Sequence, residues 1–222
     1  MKIYHGSEKV IENPQCSFGN IHNDYGQGFY CTESEALAKE WACQQNKDGY
    51  ANCYELNADD LKVLNLSDLK YNILYWLTIL MQNRIFVPRS VIGSQNLDFL
   101  TKNYLLPYKN YDLIYGYRAN DSYFSYAADF LENALPLQSL ANAMKLGSLG
   151  LQVVLISKKS FKNLQYVESI KASKEKYYPL YKARDTKARD LYFNEQRKFQ
   201  PKESIFLIDI IRKPELLNEI HI

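Results

Sequence analysis

The chain is poor in the residues that build metal sites and disulfide frameworks. Its 222 residues include only three histidines and four cysteines, Cys16, Cys31, Cys43 and Cys53. No two of these cysteines have the CxxC spacing that is typical of zinc sites. We therefore expect no metal cofactor, and we expect the cysteines to be free thiols in a reducing compartment.

The sequence also lacks the long apolar runs that membrane proteins need. No stretch reaches the roughly 18 consecutive apolar residues of a membrane-spanning helix. The first residues, MKIYHGSEKV, contain no apolar segment of the signal-peptide type. We expect a cytoplasmic protein, unless it is exported by a route that needs no signal peptide. Hydrophobic residues make up 46% of the chain and charged residues 23%, which is typical of a soluble protein with an ordinary core.

Arginine is absent from residues 1–60, and the charge of the chain is unevenly distributed. Residues 1–60 contain ten acidic and four basic side chains, whereas residues 171–202 contain ten basic and four acidic ones. The basic stretch KEKYYPLYKARDTKARDLYFNEQRK interleaves Lys and Arg with Tyr and Phe, which suits contact with a nucleic-acid backbone and its bases. It also suits a solvated helix whose rings pack on the domain, the interpretation that we favour. A neutralising partner protein could dock there too.

The hydrophobic pattern predicts strands and helices in turn along the chain. The predicted strands are KIYHGS, the pair Phe29 and Tyr30, and residues 52–57, 112–115 (followed by a glycine-containing turn), 150–157 and 204–211. The predicted helices begin at a capping box of Thr32 and Glu35, at Ser67 or Asp68, within a second, shorter stretch VIGSQNLDFLTKNYL, at Asp121 or Ser122, after Pro136 and after Pro179. We expect one α+β domain at residues 1–170, with a basic helical extension and a closing strand at 171–222 packed on it.

Two glycines precede an aromatic pair and a helix in the stretch DYGQGFYCTESEALAKEW. Gly26 and Gly28 permit a positive φ or a close backbone approach. Leu37 and Trp41 lie one turn apart on the same helical face. The stretch is therefore either a packing corner or one wall of a small-molecule site that contains a flat ring.

Three features then follow one another in order along the chain. His5 ends the first strand in YHGS, Tyr30 lies in GQGFYCT with Trp41 one helix further on, and Gln152 is the lone polar residue in the apolar strand LQVVLI. Taken singly, each is typical of an ordinary structural residue. Together they resemble the H-Y-E class of ADP-ribosyltransferases, the branch of diphtheria toxin and the poly(ADP-ribose) polymerases. Over residues 1–170 the chain is similar to a bacterial family of uncharacterised ADP-ribosyltransferase-like proteins, through YHGS, YGQGFYCT, AKEWA, YDLIYGYRANDSYF and LQVVLISKKSF.

The resemblance implies a fold, a substrate and a set of roles. The fold would be a split mixed or antiparallel β core with surrounding helices, and the substrate would be NAD, with no metal. His5 would bind the adenosine ribose, and the N–H and C=O of Gly6 would hold the nicotinamide carboxamide. Tyr30 and Trp41 would enclose the nicotinamide ring. Gln152 would bind the 2′-hydroxyl of the nicotinamide ribose, where the family usually has Glu.

Further residues could complete a dinucleotide site. Since residues 1–60 contain no arginine, Arg84, Arg89 or Arg118 could reach the pyrophosphate from elsewhere in the chain, as could helix N-termini. Asp121 in RAND matches an acidic position of the resembled family and would then be a site residue. It could equally be the N-cap of a helix.

The function that the resemblance implies is NAD-dependent mono-ADP-ribosylation by a bacterial toxin of a toxin–antitoxin or interbacterial system. The acceptor would be a protein or a nucleic acid, and the partner an antitoxin or immunity protein. Gln152 can donate and accept hydrogen bonds but cannot act as a base. This favours single transfer to a group that is already nucleophilic. The alternatives are an NAD glycohydrolase, an inactive NAD-binding or interaction module, and a nucleic-acid-binding module led by the basic segment.

Overall fold

The structure is a computed structural model that describes residues 1–119, 121–146, 150–197 and 204–218, with side chains left out at 121–123, 142–146, 188, 191–197 and 218. The strands of this described part are β1 (Lys2–Ser7), β2 (Phe29–Cys31), β3 (Gly49–Leu56), β4 (Val63–Asn65), β5 (Leu113–Tyr117), β6 (Leu151–Leu155) and β7 (Leu164–Ala172). The helices are α1 (Glu35–Ala42), α2 (Ile73–Asn83), α3 (Val91–Tyr104), α4 (Asp121–Leu131), α5 (Leu137–Leu146), α6 (Lys158–Lys162), α7 (Lys174–Arg197) and α8 (Leu207–Arg212). Short 3₁₀ turns lie at Tyr108–Asn110 and Pro214–Asn218.

The strands form two sheets, with the orders β1-β3-β7 and β2-β6-β5-β4. The strand pairs are antiparallel except for β4 and β5, which are parallel. A bridge between Tyr4 and Thr32 joins the sheets, because the Tyr4 N–H donates to Thr32 O at 2.8 Å and the Thr32 N–H donates to Tyr4 O at 2.9 Å. The fold is therefore a mixed α+β arrangement, as predicted.

The central strand β6 is buried on both of its faces. Val154 packs against the helical core, which includes Trp76 of α2 and Phe130 of α4. Val153 and Leu155 belong to a second apolar cluster. Because side chains alternate along a strand, Gln152 lies on the same face of β6 as Val154. The strand thus brings a polar residue to the edge of the helical core.

Several predicted boundaries shift because side chains of loop residues compete for backbone groups. Helix α2 begins at Ile73 with Asn72 as its N-cap, not at Ser67 or Asp68, because Asn65 Oδ1 binds Ser67 in a local turn. Helix α1 is capped by Ser34, whose hydroxyl accepts from the Leu37 N–H at 3.3 Å. The predicted capping box of Thr32 and Glu35 is therefore wrong.

Other corrections concern length and type. Helix α3 has 14 residues and α2 has 11, so the second helix is the longer one. Gly116 lies within β5 and not in a turn after it. Strands β4 and β7 were not predicted, and β7 runs across the boundary predicted at 170/171. Residues 204–211, predicted as a strand, contain the start of α8, where the Asp209 side chain accepts from the Phe206 N–H at 3.0 Å.

Helix α7 begins at Lys174, before Pro179, and is held to α1 by an ion pair. Arg184 Nε and Nη2 donate to the two oxygens of Glu40 at 2.8 and 2.9 Å, and Glu40 is only 3% exposed. In the described part of α7, Lys182 is exposed and the Tyr177 ring is half-buried beneath Lys39. This is the arrangement expected of a solvated helix with its rings turned to the domain.

The four cysteines are free thiols, as predicted. Among the described helices, none combines the length and the apolar character that crossing a membrane requires.

Candidate functional site

One cavity of about 760 Å³ collects residues from distant parts of the chain. Its volume lies in the range of about 300–1,000 Å³ that is typical of small-molecule sites. Its wall includes His5, Gly6, Tyr30, Trp41, Arg118 and Gln152. These are the predicted site residues apart from Asp121, so β1, β2, α1, the end of β5 and β6 all meet at one cleft.

The remaining candidates lie elsewhere or outside the described side chains. Helix α4 begins at Asp121, but the side chain of Asp121 lies outside the described residues, as does its predicted capping role. Arg89 pairs with Asp129 at 2.8 Å and does not line the cavity. Arg84 does line it. Of the three predicted pyrophosphate cations, Arg84 and Arg118 are thus at the site.

Gly6 presents an open backbone edge to the cavity. Met1 O accepts from the Leu56 N–H of β3 at 2.8 Å, whereas Tyr4 exchanges its hydrogen bonds with Thr32 on the opposite side. Since alternate residues of a strand direct their N–H and C=O groups to the same edge, those of Gly6 point to the Thr32 side. There, among the described residues, they have no partner. This edge can accept one hydrogen bond and donate another to a ligand.

Gly6 is also required for close packing against α1. A Cβ atom at this position would collide with the carbonyl oxygen of Ala38 and lie 2.9 Å from the Ala42 N and 3.0 Å from the Trp41 Cβ. Only glycine therefore lets β1 approach the helix that carries Trp41.

His5 is held in one orientation and one tautomer. Its Nδ1 lies 2.7 Å from Tyr30 O, and its ring stacks on Phe29 with the centroids 4.3 Å apart. Because a carbonyl oxygen only accepts, Nδ1 must carry the proton, which leaves Nε2 as an acceptor when the ring is neutral. Burial lowers the pKa of His5, and the bond to Tyr30 O opposes this effect only in part. The neutral form therefore prevails at the site.

This pKa shift makes a testable contribution to stability. With a folded-state pKa below the ordinary value of 6.5, the unfolded chain takes up the His5 proton at higher pH than the folded chain. The stabilising contribution is complete above the unfolded pKa and is lost as the pH falls toward the folded pKa. When the pH is lowered from about 7.5 to about 5, we expect the free energy of unfolding in urea to fall less for His5→Gln than for the wild type. An equal loss of stability in His5→Gln and in the wild type over this pH range would contradict the assignment.

Tyr30 ties the glycine-rich loop to the cavity wall. Its hydroxyl donates to Gly26 O at 2.6 Å and accepts from the Tyr25 N–H at 3.0 Å. Burial raises the pKa of the Tyr30 phenol, so it keeps its proton. Gly26 has a φ of +78°, and a Cβ on Gly28 would lie 2.8 Å from Val154 Cγ1. The stretch DYGQGFYCT is thus both a packing corner and a wall of the cavity.

A cation covers the ring of Trp41. The Arg118 guanidinium carbon lies 4.3 Å from the Trp41 ring centroid, well within the distance of cation–π attraction. Burial lowers the pKa of Arg118. Among the described residues Arg118 forms no ion pair. Its positive charge is therefore available to an anionic group in the cavity.

Gln152 contacts a buried carboxylate that sequence reasoning missed. Asp24, which also lines the cavity, accepts from Gln152 Nε2 at 3.0 Å and from the Ala119 N–H at 2.8 Å through Oδ2. Its Oδ1 accepts from Arg84 Nε at 2.9 Å and Nη2 at 2.7 Å. The sequence carries no local signal for such a pair, because Asp24 and Gln152 are 128 positions apart.

The long loop at residues 8–28 is fastened to β3 where it enters the cavity wall. The buried Asn52 accepts from the Ile11 N–H at 3.0 Å and donates to Lys9 O at 3.1 Å. Tyr54 donates to Ile11 O at 2.5 Å. These bonds fix Lys9 and Ile11, which line the cavity together with His5, although neither Asn52 nor Tyr54 was predicted to serve the site. Across the described residues, no three His, Cys, Asp or Glu side chains form a group that could hold a metal ion.

Comparison with protein-family models matches residues 1–166 to the family described as "Protein of unknown function (DUF3990)". No curated protein and no solved structure matches the chain.

Proposed function

Because the chain belongs to this family, whose description assigns no activity, we propose a function from the site itself: NAD-dependent mono-ADP-ribosyltransferase. The observation that carries the proposal is that the open backbone edge of Gly6, two aromatic rings and Gln152 line one cavity. The two sheets would then be the split β core of an ADP-ribosyltransferase fold.

The edge of Gly6 suits the carboxamide of nicotinamide. A carboxamide carries one acceptor oxygen beside an NH₂ donor, which is the complement of a strand's adjacent N–H and C=O. Trp41 is held next to this edge, because its Cβ packs so closely on β1 that only a glycine fits at position 6. A flat ring bound through Gly6 would therefore lie beside the Trp41 ring, with Tyr30 in the same wall.

Other groups of the cavity wall suit the ribose and the pyrophosphate. The neutral His5 offers Nε2 as an acceptor for a ribose hydroxyl, and Gln152 offers its Oε1. Arg118 supplies positive charge without a carboxylate partner in the described residues. A dinucleotide with an anionic centre and a cationic ring matches this distribution.

The reaction would break the bond between nicotinamide and the ribose C1 and form a bond from C1 to the acceptor. Nicotinamide leaves with the bonding electron pair, and positive charge develops on the ribose, as in glycoside cleavage. Holding the leaving ring and the hydroxyls in place lowers the barrier by positioning. Since Gln152 cannot take a proton, the acceptor must itself be a good nucleophile, such as a thiol or a nucleobase nitrogen.

The test is to incubate the full chain with labelled NAD and a bacterial lysate. We expect nicotinamide release and label transfer to protein, RNA or DNA. The variant Gln152→Ala should lower kcat by about 100-fold, as is typical when one electrostatic group is removed. The exposed-strand control Gln165→Ala should keep the wild-type rate.

Each alternative gives a different result in the same assay. Nicotinamide release without a labelled macromolecule would indicate an NAD glycohydrolase. Binding of NAD in a calorimeter without nicotinamide release would indicate an inactive NAD-binding module. Absence of both NAD binding and nicotinamide release would reject the proposed function and these two alternatives together. On the basis of the resemblance described above, we propose that in the cell the protein acts as a bacterial toxin, neutralised by an antitoxin or immunity protein.

A further inference from the structure

Asp24 is a buried carboxylate in the cavity wall that the proposed reaction does not use. It is 4% exposed, and so is Gln152. Burying a carboxylate costs free energy unless it is well hydrogen-bonded. The hydrogen bonds of Asp24 must therefore offset the cost of its burial.

The contacts of Asp24 are all with donors. Arg84 donates twice to Oδ1, at 2.9 and 2.7 Å, while the Ala119 N–H and Gln152 Nε2 donate to Oδ2 at 2.8 and 3.0 Å. A guanidinium and a peptide N–H are donors only, so these groups require Asp24 to act as an acceptor.

This arrangement decides which way the amide of Gln152 faces. Because the Asp24 carboxylate accepts, the Gln152 side chain must turn its NH₂ group toward Asp24. Its Oε1 is then left for the cavity, and among the described residues Oε1 has no partner. The site consequently offers a ligand an acceptor at this point and not a donor.

We propose that Asp24 is a positioning residue of the transferase reaction, which acts through Gln152. It fixes the amide with Oε1 toward the ribose, and its carboxylate, which also pairs with Arg84, polarises that amide through the hydrogen bond to Nε2. Gln152 held by Asp24 thereby supplies the hydrogen-bond acceptor that a glutamate would provide at this position. The inference rests on the proposed function.

The pair also explains why glutamine occupies this position. A glutamate at 152 would bring two carboxylates to hydrogen-bond distance, since Gln152 Nε2 now lies 3.0 Å from Asp24 Oδ2. Like charges at such a distance cannot both be ionised without a large cost. The variant Gln152→Glu should therefore lose activity although it restores the residue that is usual in the resembled family.

Exchanging the carboxylate and the amide between positions 24 and 152 provides the decisive kinetic experiment. We expect Asp24→Asn and Gln152→Glu each to lower the kcat for nicotinamide release by roughly 10- to 100-fold, the range for losing a partner that orients a functional side chain, with smaller effects on KM. The double variant Asp24→Asn/Gln152→Glu restores one carboxylate and one amide. We expect its kcat to exceed that of either single variant, because contacting residues couple. Recovery stays incomplete, because the NH₂ group that Asp24→Asn introduces would face a donor, the Ala119 N–H or Arg84. Asp129→Asn, which removes the surface partner of Arg89, is the matched control and should keep the wild-type kcat.

A second measurement does not depend on activity. In ¹⁵N NMR spectra, the Gln152 side-chain NH₂ should exchange with solvent slowly in the wild type and at least tenfold faster in Asp24→Asn. An unchanged exchange rate would overturn the positioning role, as would a double variant no better than either single one. A wild-type kcat in folded Asp24→Asn would show that the reaction does not depend on Asp24. If the wild type releases no nicotinamide, the proposed function falls and with it the role of Asp24 in the reaction, and the exchange rate alone decides whether Asp24 holds Gln152.

Discussion

Replacing Gly6 with alanine is expected to abolish detectable NAD binding and to lower the free energy of unfolding. The added methyl group would collide with Ala38 O and crowd the Ala42 N at 2.9 Å, so β1 and α1 must separate. Overpacking of this kind costs about 1–3 kcal/mol. The same separation displaces Trp41 from the backbone edge that would hold the carboxamide. Calorimetric titration with NAD and urea unfolding measure the two effects.

Gly49 offers a matched control, because it also packs closely against α1 but lies outside the cavity. A Cβ at Gly49 would lie 2.6 Å from the Ala42 carbonyl carbon, yet Gly49 does not line the cavity. Gly49→Ala should therefore lose a similar amount of stability, about 1–3 kcal/mol, and keep NAD binding once the temperature is low enough for the variant to be folded. Equal NAD affinity in the two variants would contradict the role of Gly6.

Truncating Trp41 is expected to raise the KM for NAD by about 10- to 100-fold. Burying an aromatic ring against a ligand contributes about 1.5–3 kcal/mol, and each 1.4 kcal/mol is a factor of about ten in affinity. In Trp41→Ala the ligand loses this surface, and Arg118 loses the ring on which it lies at 4.3 Å. Trp41→Phe keeps an aromatic face and should raise KM only a few-fold. Steady-state nicotinamide release provides the measurement.

The control for Trp41 is an aromatic residue outside the cavity. Tyr178 stacks on Tyr181 of α7 with the centroids 6.3 Å apart, and Tyr178→Ala should leave KM unchanged. Tyr30→Ala should also raise KM, whereas Tyr30→Phe removes only the hydroxyl that binds Gly26 O. Wild-type kinetics in both Trp41→Ala and Tyr30→Ala would reject this placement of the nicotinamide ring.

Local sequence patterns predicted a strand correctly where a single hydrophobic pattern was clear. The strand KIYHGS was predicted from alternation and the strand at 150–157 from an apolar run; both are present, the second at Leu151–Leu155. Residues 204–211 were misassigned because a short apolar run does not distinguish a strand from a buried helix. There, Leu207 and Ile210 are both buried, three positions apart, which is the helical spacing. Strand β7 escaped prediction because as an edge strand it is largely exposed and polar.

The sequence predicted those site residues whose type and order along the chain are recognisable, but not the contacts between them. His5, Tyr30 and Gln152 could be selected because each interrupts or ends a recognisable element. Arg84 could be selected only as a candidate cation for the pyrophosphate. Asp24 could not be selected, because its pairing with Arg84 depends on where the loop at residues 8–28 meets the end of α2. A single sequence carries no local sign of a contact between positions so far apart.

The family match ends at residue 166, within the first third of β7 (Leu164–Ala172). A chain shortened to that point would keep the cavity residues but strip the partner from half of β3, since Ala51 and Asn52 pair with Ile170 and Ser169. The bare edge would be open to strand addition from neighbouring molecules, a common route to aggregation. Glu40 would also lose the guanidinium of Arg184. For recombinant production, the C-terminal segment up to α7 should therefore be treated as part of the folding unit.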